Sequence, residues 1–292
     1  MSSRNFMGRC EMIAAMSPPE VGQLFVVATP IGNREDISLR ALRVLREVRL
    51  VACEDTRRTN NLLRMYDIAT PTSSYFEHNE RWKGELFLER LQRGESIALV
   101  SDAGTPGVSD PGYRLVRDAR ARGISVIPVP GPSAAVAALS ISGLPSDRFL
   151  FVGFLPARTA ARRSAAADLA GVRATLVVYE APTRALACLA DLVSALGDRE
   201  AFLCREATKL HEEYIRGRLT QLRARLLERD TVKGEIVLVI AGAGRAAAAG
   251  AEQLPALFAE LTAAGLTRRQ AVKEAAHRMA LPAREVYRRL LS

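Results

Sequence analysis

The stretch "SIALVSDAGTPGVSDPG" (residues 96–112) joins an apolar segment to a turn of unusual composition. Its first five residues have the pattern of a buried β-strand. The twelve that follow contain three glycines, two prolines and two aspartates. Because a tight turn needs no more than a glycine or two, this composition predicts a backbone shaped to lie against another group.

Similar apolar runs alternate with helical patterns on both sides of this stretch. Residues 37–48 place their apolar side chains on one helical stripe behind Asp36, a candidate N-cap, and residues 56–66 follow Asp55 in the same way. This βαβ alternation predicts a mostly parallel sheet covered by helices, with ligands outside the carboxyl ends of the strands. The strands of this half are expected at residues 23–28, 48–53, 96–100 and 124–129.

A second α/β series follows a small-residue stretch at residues 130–145, which can form a helix after Pro132. A helix is expected at 182–196, and "RAAAAGAEQ" (245–253) is expected to be a low-complexity linker before an all-helical tail. The tail is expected to break at Gly265 and at Leu281–Pro282. The strands of this second half are expected at residues 148–154, 174–180, 200–206 and 234–242.

The predicted fold class is therefore α/β, with two α/β domains followed by a small helical module. The expected domains are a disordered N-terminal extension (1–21), an N-terminal α/β domain (22–135), a C-terminal α/β domain (136–244) and a helical tail (252–292).

The charge balance of the chain favours a polyanionic partner. Lys and Arg number 41 against 32 Asp and Glu, which gives a net charge of +9. GC-rich codon usage also enriches arginine and alanine, so composition alone leaves nucleic-acid binding open. No apolar run approaches a membrane span, the start of the chain does not read as a signal peptide, and four scattered cysteines favour a reducing cytoplasm.

Several familiar site motifs are excluded. "GAGRAA" (242–247) matches a dinucleotide fingerprint, but no strand is visible after it to complete a βαβ unit. The sequence contains no Walker A loop, no H-E-x-x-H and no G-x-S-x-G elbow. We therefore expect no bound metal and no serine nucleophile.

Polar turns rich in glycine and proline lie where predicted strands end. Turns of this kind at one sheet edge predict a crevice for a small molecule, although ordinary connections without a ligand also have this composition. The turns are "ATPIGN" (28–33), "CEDTRRT" (53–59), "SDAGTPGVSDPG" (101–112), "PGPSA" (130–134) and "YEAP" (179–182).

Together with "HNE" (78–80) and "FVGFLP" (151–156), these turns resemble the signatures of the tetrapyrrole methylase superfamily, from about Gly22 to Gly244. Within it they are similar to the 16S rRNA (cytidine-2'-O)-methyltransferase branch. The resemblance implies S-adenosylmethionine in a cleft between the two domains, a decoding-region cytidine of the small ribosomal subunit as acceptor, and a homodimer. The tail resembles a helix-turn-helix module.

The resemblance also implies which residues hold the cofactor. Because Ala103 and Gly104 have little or no side chain, their backbone can come within hydrogen-bond distance of an adenosine or carboxylate group. Two prolines, Pro106 and Pro111, restrict the conformation of the loop before binding. The implied cofactor-binding residues are Pro30, Asp102, Ala103, Gly104, Thr105, Pro106, Ser133, Ala134, Glu180 and Ala241.

Methyl transfer to a ribose hydroxyl requires alignment of donor and acceptor, and a general base or nearby cation assists because the hydroxyl is a weak acid. Glu54, Asp55 and His78 are the candidate catalytic residues, with Arg57 and Glu80 in the same motif loops. Asp55 is equally well explained as a helix cap, and His78 as an ordinary turn residue.

RNA binding is expected to use arginines from the motif loops, from the second domain and from the tail. Because the major groove of A-form RNA is too deep and narrow for a recognition helix, the tail is expected to contact backbone phosphates. A small-molecule methyltransferase and a ligand-sensing DNA-binding regulator remain as alternatives. The candidate RNA-binding residues are Arg34, Arg57, Arg58, Arg158, Arg162, Arg163, Arg268 and Arg269.

Overall fold

The computed structural model describes residues 21–279 together with residues 286, 287 and 290. The chain divides into two compact units after Ser133, close to the boundary expected from the sequence. Apart from Val21, the expected N-terminal extension lies outside the described residues, as does the expected break at Leu281–Pro282.

The first unit is built on a parallel five-stranded sheet with the strand order β3-β2-β4-β1-β5. The predicted parallel arrangement is confirmed, but β3 was not predicted, because its three half-buried residues "TSS" form no apolar run. The strands are β1 (Leu24–Val27), β2 (Leu50–Cys53), β3 (Thr72–Ser74), β4 (Ile97–Val100) and β5 (Val126–Val129).

Helices cover this sheet and form a separate apolar core on each of its faces. The first helix begins after Ser38, whose hydroxyl oxygen accepts a hydrogen bond from the Ala41 amide at 3.1 Å. The prediction of Asp36 as its N-cap is wrong, because Asp36 lies in a preceding 3-10 turn. The helices of this unit are α1 (Leu39–Glu47), α2 (Thr56–Met65), α3 (Glu80–Gln92) and α4 (Tyr113–Ala121).

The second unit contains a mixed five-stranded sheet with the order β6-β7-β10-β8-β9. β6 and β7 are parallel, whereas β10 runs antiparallel to both of its neighbours and β9 antiparallel to β8. β9 was not predicted from the sequence. The strands are β6 (Phe149–Phe154), β7 (Thr175–Glu180), β8 (Glu200–Arg205), β9 (Glu213–Arg218) and β10 (Ile236–Ile240).

Helix α5 packs on one face of the mixed sheet and confirms the helix predicted after Pro132. The other three helices of this α/β layer pack with the opposite face into the larger apolar core, together with residues such as Leu176 and Leu238. The helices are α5 (Ala134–Ile141), α6 (Thr159–Asp168), α7 (Ala185–Leu196) and α8 (Leu219–Leu227).

In the part of the tail that the structure describes, two further helices are α9 (Arg245–Ala263) and α10 (Arg268–Arg278). The predicted linker at 245–253 is wrong, since its backbone is helical, as its high alanine content favours. The chain turns at Gly265 (φ +89°), where a break was expected. Buried residues from the two helices form a core of their own. The helix-turn-helix character of the tail stays a prediction.

No helix in the described part of the chain is both long enough and apolar enough to span a membrane.

Candidate active site

The loops that follow β1, β4 and β5 meet at the carboxyl edge of the parallel sheet. Thr29 and Gly104 exchange two backbone hydrogen bonds, of 2.9 and 3.0 Å. The Thr105 hydroxyl donates to the Pro132 carbonyl at 3.3 Å, and the Thr29 hydroxyl donates to the Ser101 carbonyl at 3.2 Å. These bonds tie three of the predicted motif loops into one platform.

This platform changes the role expected for Gly104. Its N–H donates to Thr29 and is not available to a ligand, whereas its carbonyl oxygen accepts one hydrogen bond from Thr29 and can accept another, so the predicted contact of Gly104 with the cofactor stays a prediction. Gly104 has φ +82°, a conformation that glycine adopts without steric cost. Ala103 beside it is exposed, Pro106 is buried, and Pro30, Thr105 and Ser133 are half-buried. Ala103 is thus the residue of this pair that remains exposed to a ligand.

The far end of the glycine-proline loop is anchored by Glu80, the first residue of α3. The Gly112 N–H donates to Oε1 of Glu80 at 3.3 Å, and the other carboxylate oxygen of Glu80 pairs with Arg114 at 3.4 Å. The loop also places Gly107 and Ser109 in the left-handed region, with φ of +80° and +61°. Glu80, a catalytic candidate from its motif, is therefore an anchor for the loop.

Asp102 joins the loop after β4 to the loop after β2. Its Oδ1 accepts a hydrogen bond from the Asp55 amide at 3.1 Å, and its Oδ2 pairs with Arg58 at 3.1 Å. Each carboxylate oxygen can accept a further hydrogen bond, so a contact with a cofactor remains open to Asp102.

Asp55 is the N-cap of α2. Its Oδ1 accepts hydrogen bonds from the Arg57 and Arg58 amides at 2.8 and 3.4 Å. The bond from the Arg57 amide is the main reason that the pKa of Asp55 is lowered below its ordinary value. A carboxylate that is already hydrogen-bonded and weakly basic is a poor proton acceptor, so the structure favours the cap over the catalytic role.

Glu54, Asp102 and Asp110 are close enough for their charges to interact, and we call them the acidic cluster. In contrast to Asp55, the carboxyl groups of Glu54 and Asp110 have raised pKa values. Burial, followed by the charge of Asp102, raises the pKa of Glu54. Burial also raises the pKa of Asp110 to about 6; a hydrogen bond from Ser101 opposes the rise, and the charges of Glu54 and Asp102 add to it. Sequence reasoning missed Asp110, although it lies inside the most specific motif loop.

His78, the third catalytic candidate, lies in the turn between β3 and α3. Its side chain is exposed, and its ring makes an edge contact with Phe76 at a centroid distance of 6.3 Å. The next residue, Asn79, holds the turn by accepting a hydrogen bond from the Phe76 amide at 2.8 Å. The described residues contain no group of three or more His, Cys, Asp or Glu placed to hold a metal ion.

In the second unit the predicted cofactor residues lie on different faces of the sheet. Ala134 and Ala241 pack against the cluster that covers one face, beside Tyr179, whose hydroxyl accepts a hydrogen bond from the Ala135 amide at 3.1 Å. Tyr179, which sequence reasoning did not single out, thereby holds the start of α5.

Glu180 differs from Ala134 and Ala241 because its side chain is fully buried and pairs with Arg184 at 2.7 Å. It also lies at the opposite end of the strands from Ala241, since Glu180 pairs with the first residue of β10 and Ala241 follows the last. With the side chain fully buried, the backbone of Glu180 is the part that a ligand could reach, and the predicted cofactor contact of Glu180 stays a prediction.

Arg162 is not available to RNA. It is 3% exposed, and its guanidinium pairs with the buried Asp191 at 2.7 Å and donates to the Ala157 carbonyl at 3.0 Å. Burial acts to raise the pKa of Asp191, but hydrogen bonds from Arg163 and Arg162 outweigh it and hold the pKa below its ordinary value. The prediction of Arg162 as an RNA contact is wrong.

The other candidate RNA-binding arginines are exposed. Arg163 shares Asp191 but has a side chain that is 67% exposed, and the side chain of Arg57 is 93% exposed. The remaining exposed candidates are Arg34, Arg58, Arg158, Arg268 and Arg269.

Comparison with known proteins agrees with the fold and the motif loops. The sequence profile of the family described as Tetrapyrrole (Corrin/Porphyrin) Methylases matches residues 23–223. The chain belongs to this family. The tetrapyrrole methylase match takes in both sheets apart from β10, together with every motif loop named above.

Two relatives carry the same name. The chain is 44% identical over 271 residues to the ribosomal RNA small subunit methyltransferase I of Halalkalibacterium halodurans, covering 91% of this chain and 93% of that protein. It is 53% identical over 223 residues to the ribosomal RNA small subunit methyltransferase I of Pseudomonas aeruginosa, covering 76% of this chain and 79% of that protein.

Among solved structures, the chain resembles the uroporphyrin-III C-methyltransferase of Thermus thermophilus complexed with S-adenyl homocysteine. The TM-score is 0.51 at 22% sequence identity, covering 75% of this chain and 97% of that one. At this identity the likeness shows the shared fold.

Proposed function

We propose that this chain transfers a methyl group from S-adenosylmethionine to the ribose 2'-hydroxyl of a cytidine in the decoding region of 16S rRNA, within the small ribosomal subunit. The relatives named ribosomal RNA small subunit methyltransferase I support the reaction class and the rRNA acceptor. The observation that carries the proposal is the sheet edge itself, where the motif loops are bonded together around an acidic cluster.

The chemistry of this edge fits the methyl donor. S-adenosylmethionine carries a sulfonium and an ammonium, and Glu54, Asp102 and Asp110 bring negative charge to the edge. Ala103 and Thr105 present small side chains there, so a ligand can approach the backbone closely. When bound, the donor supplies an electrophilic methyl group on a good leaving group, and the task left to the protein is alignment.

We assign Asp110 the role of general base toward the ribose hydroxyl. With a pKa of about 6 it is deprotonated at neutral pH, yet it is more basic than the capped Asp55. Glu54 lies close enough for its charge to raise the pKa of Asp110. This tuning of a carboxylate toward the operating pH is what acid–base catalysis favours.

Exposed arginines supply the electrostatic contact with RNA in this proposal. Arg57 lies in the first turn of α2 with an exposed side chain, next to Asp55, and in this proposal it binds a phosphate near the reacting ribose. Arg158 and the tail residues Arg268 and Arg269 are exposed as well. Phosphate contacts of this kind give affinity and register, and carry no base specificity.

The acceptor assay uses labelled S-adenosylmethionine with small ribosomal subunits from cells that lack this gene, naked 16S rRNA, DNA, or a tetrapyrrole. We expect label in rRNA, at one linkage that resists alkaline cleavage because its 2'-hydroxyl is methylated. The Asp110→Asn variant, which keeps the shape of the side chain, should bind the donor and transfer slowly. Label only in the tetrapyrrole, or in no acceptor, would contradict the proposal.

Two further expectations from the resemblance belong to the proposal, namely a homodimer and a cytoplasmic location. Sedimentation of the purified protein tests the first, and fractionation of cells that express a tagged chain tests the second.

A further inference from the structure

Three aromatic side chains form an exposed group next to the acidic cluster, and we call them the aromatic rim: Phe76, His78 and Trp82. Trp82 is the only tryptophan of the chain and is 60% exposed, although tryptophan is highly buried on average. Phe76 is 36% exposed. Neither the fold nor the proposed methyl transfer explains why these aromatic side chains are exposed.

Strand pairing brings the rim to the same sheet edge as the catalytic candidates. β3 lies beside β2 in parallel with Ser74 opposite Cys53, and the Tyr75 N–H donates to the Cys53 carbonyl at 2.7 Å. The turn that carries Phe76 and His78 therefore begins beside the segment that carries Glu54 and Asp55. Trp82 follows in the first turn of α3.

The turn that carries Phe76 and His78 is ordered by the side chain of Asn79. Asn79 is buried and accepts the Phe76 amide hydrogen bond at 2.8 Å, while its side-chain amide donates to the Ser74 carbonyl at 3.3 Å. Phe76 and His78 are in edge contact, with their ring centroids 6.3 Å apart. Because the backbone of this turn is already ordered, less entropy is lost when a planar partner stacks on the rim.

Cations are interleaved with the rim. The Nζ of Lys83 lies 4.9 Å from the centroid of the Trp82 ring and donates to the Ser73 hydroxyl at 2.9 Å. Arg81 next to Trp82 is exposed, as are Arg57 and Arg58 in the first turn of α2. Proteins bind single-stranded nucleic acid with aromatic side chains that stack on the bases and with nearby cations that neutralise the phosphates.

We propose that Trp82, supported by Phe76 and His78, stacks on an unpaired base of the rRNA substrate close to the nucleotide whose ribose is methylated. This inference rests on the proposed function, because it assumes an RNA acceptor at this sheet edge. An unstacked base exposes a π-face whatever its identity, so the rim holds the strand in position without reading sequence. The neighbouring cations meet the phosphates on either side.

An apolar protein partner is the competing occupant, since Leu86 lies one helical turn after Trp82 and is 42% exposed. The positive charge beside Trp82 favours RNA over that partner. Arg81 and Lys83 flank Trp82 in the sequence, whereas Leu86 follows Glu85, whose carboxylate pairs with Arg122. The exposed Glu77 lies at the other end of the rim, between Phe76 and His78. Leu86 therefore offers a matched control, being an exposed apolar side chain of the same helix that has no π-face.

The test compares Trp82→Ala, Trp82→Phe and Leu86→Ala in binding to small ribosomal subunits that lack the modification. Trp82→Ala should weaken binding by about tenfold or more, which is the effect expected from losing one base stack. Trp82→Phe should restore most of the affinity, and Leu86→Ala should bind as the unchanged protein does. Affinity for S-adenosylmethionine, measured by calorimetry, should be the same in all four proteins.

Fluorescence gives a second readout, because all tryptophan emission comes from Trp82. A single-stranded RNA fragment of the decoding region should quench this emission in the unchanged protein and in Leu86→Ala. If the unchanged protein methylates rRNA while Trp82→Ala binds subunits normally and no quenching occurs, the stacking inference is overturned and the proposed function stands. If Trp82→Ala instead changes only the oligomeric state in sedimentation, the face is a protein contact and the inference is likewise overturned.

Discussion

Replacing Gly112 by alanine tests whether the glycine-proline loop is held in one conformation by the core beneath it. Gly112 has φ +137°, and a Cβ at this position would lie 2.8 Å from Cδ2 of Leu99, which is 1% exposed in the core. Gly123 is a matched control, because its φ is +71° and nothing lies within 4 Å of its Cβ position. The two substitutions add the same methyl group, one against the core and one into open space.

The expected losses of unfolding free energy differ clearly. Gly123→Ala should cost about 1–2 kcal/mol, the penalty of a left-handed backbone for an alanine. Gly112→Ala should cost about 2–6 kcal/mol, because a rarer backbone conformation contributes about 1–3 and the displacement of Leu99 a similar amount. Since a domain is stable by only about 5–15 kcal/mol, the difference is measurable.

Urea unfolding followed by the emission of Trp82, which lies in the same unit, measures both variants. Calorimetry then measures their affinity for S-adenosylmethionine. Gly112→Ala should lose donor affinity as well, because the Gly112 amide is the point at which Glu80 anchors the loop. Equal destabilisation of the two variants, or an unchanged donor affinity in Gly112→Ala, would refute the claim that packing of Gly112 against the core holds this loop in one conformation.

Three other predictions concern the buried Arg162, the proposed base Asp110, and the tail arginines Arg268 and Arg269. Arg162→Met should lower stability by about 1–3 kcal/mol, because it leaves the buried Asp191 with the exposed Arg163 as its ionic partner. Arg158→Ala should change stability by less than about 0.5 kcal/mol and weaken RNA binding, and equal effects of the two substitutions in urea unfolding would contradict this. The rate of methyl transfer should rise as the pH increases through about 6, because protonated Asp110 cannot accept a proton. Asp110→Asn should abolish this rise and slow transfer by about 10²–10⁴-fold. If the rate of the variant still rises with pH in the same range, Asp110 is excluded as the base. Reversing charge at Arg268 and Arg269 should weaken binding to small subunits and reduce its salt dependence, and an unchanged salt slope would remove the tail from the RNA contact.

Local sequence patterns were sufficient to predict the parallel sheet and the edge where its loops meet. The strands β1, β2, β4 and β5 are continuous apolar runs, which is the pattern expected of strands in a parallel sheet. β3 and β9 escaped prediction because neither is a continuous apolar run. The residues of β9 alternate between half-buried and exposed, so only its pairing with β8 identifies it.

The chemistry of individual side chains was harder to predict, because it depends on contacts between distant parts of the chain. Nothing near Arg162 in the sequence shows that Asp191 will bury it, so the arginine reads as one more basic residue. The same holds for Asp110, whose basicity comes from burial and from the charges of Glu54 and Asp102. Nothing in the sequence indicated that the Gly104 backbone pairs with Thr29, because those two residues are far apart along the chain.

The identity of the methylated product tests the central claim most directly. Small subunits from cells that lack this gene would be incubated with the protein and S-adenosylmethionine, and the 16S rRNA digested to nucleosides for mass spectrometry. The account predicts 2'-O-methylcytidine as the single new nucleoside, absent when Asp110→Asn replaces the unchanged protein for the same short time. A methyl group on a base, on a nucleoside other than cytidine, or on no nucleoside at all would contradict it.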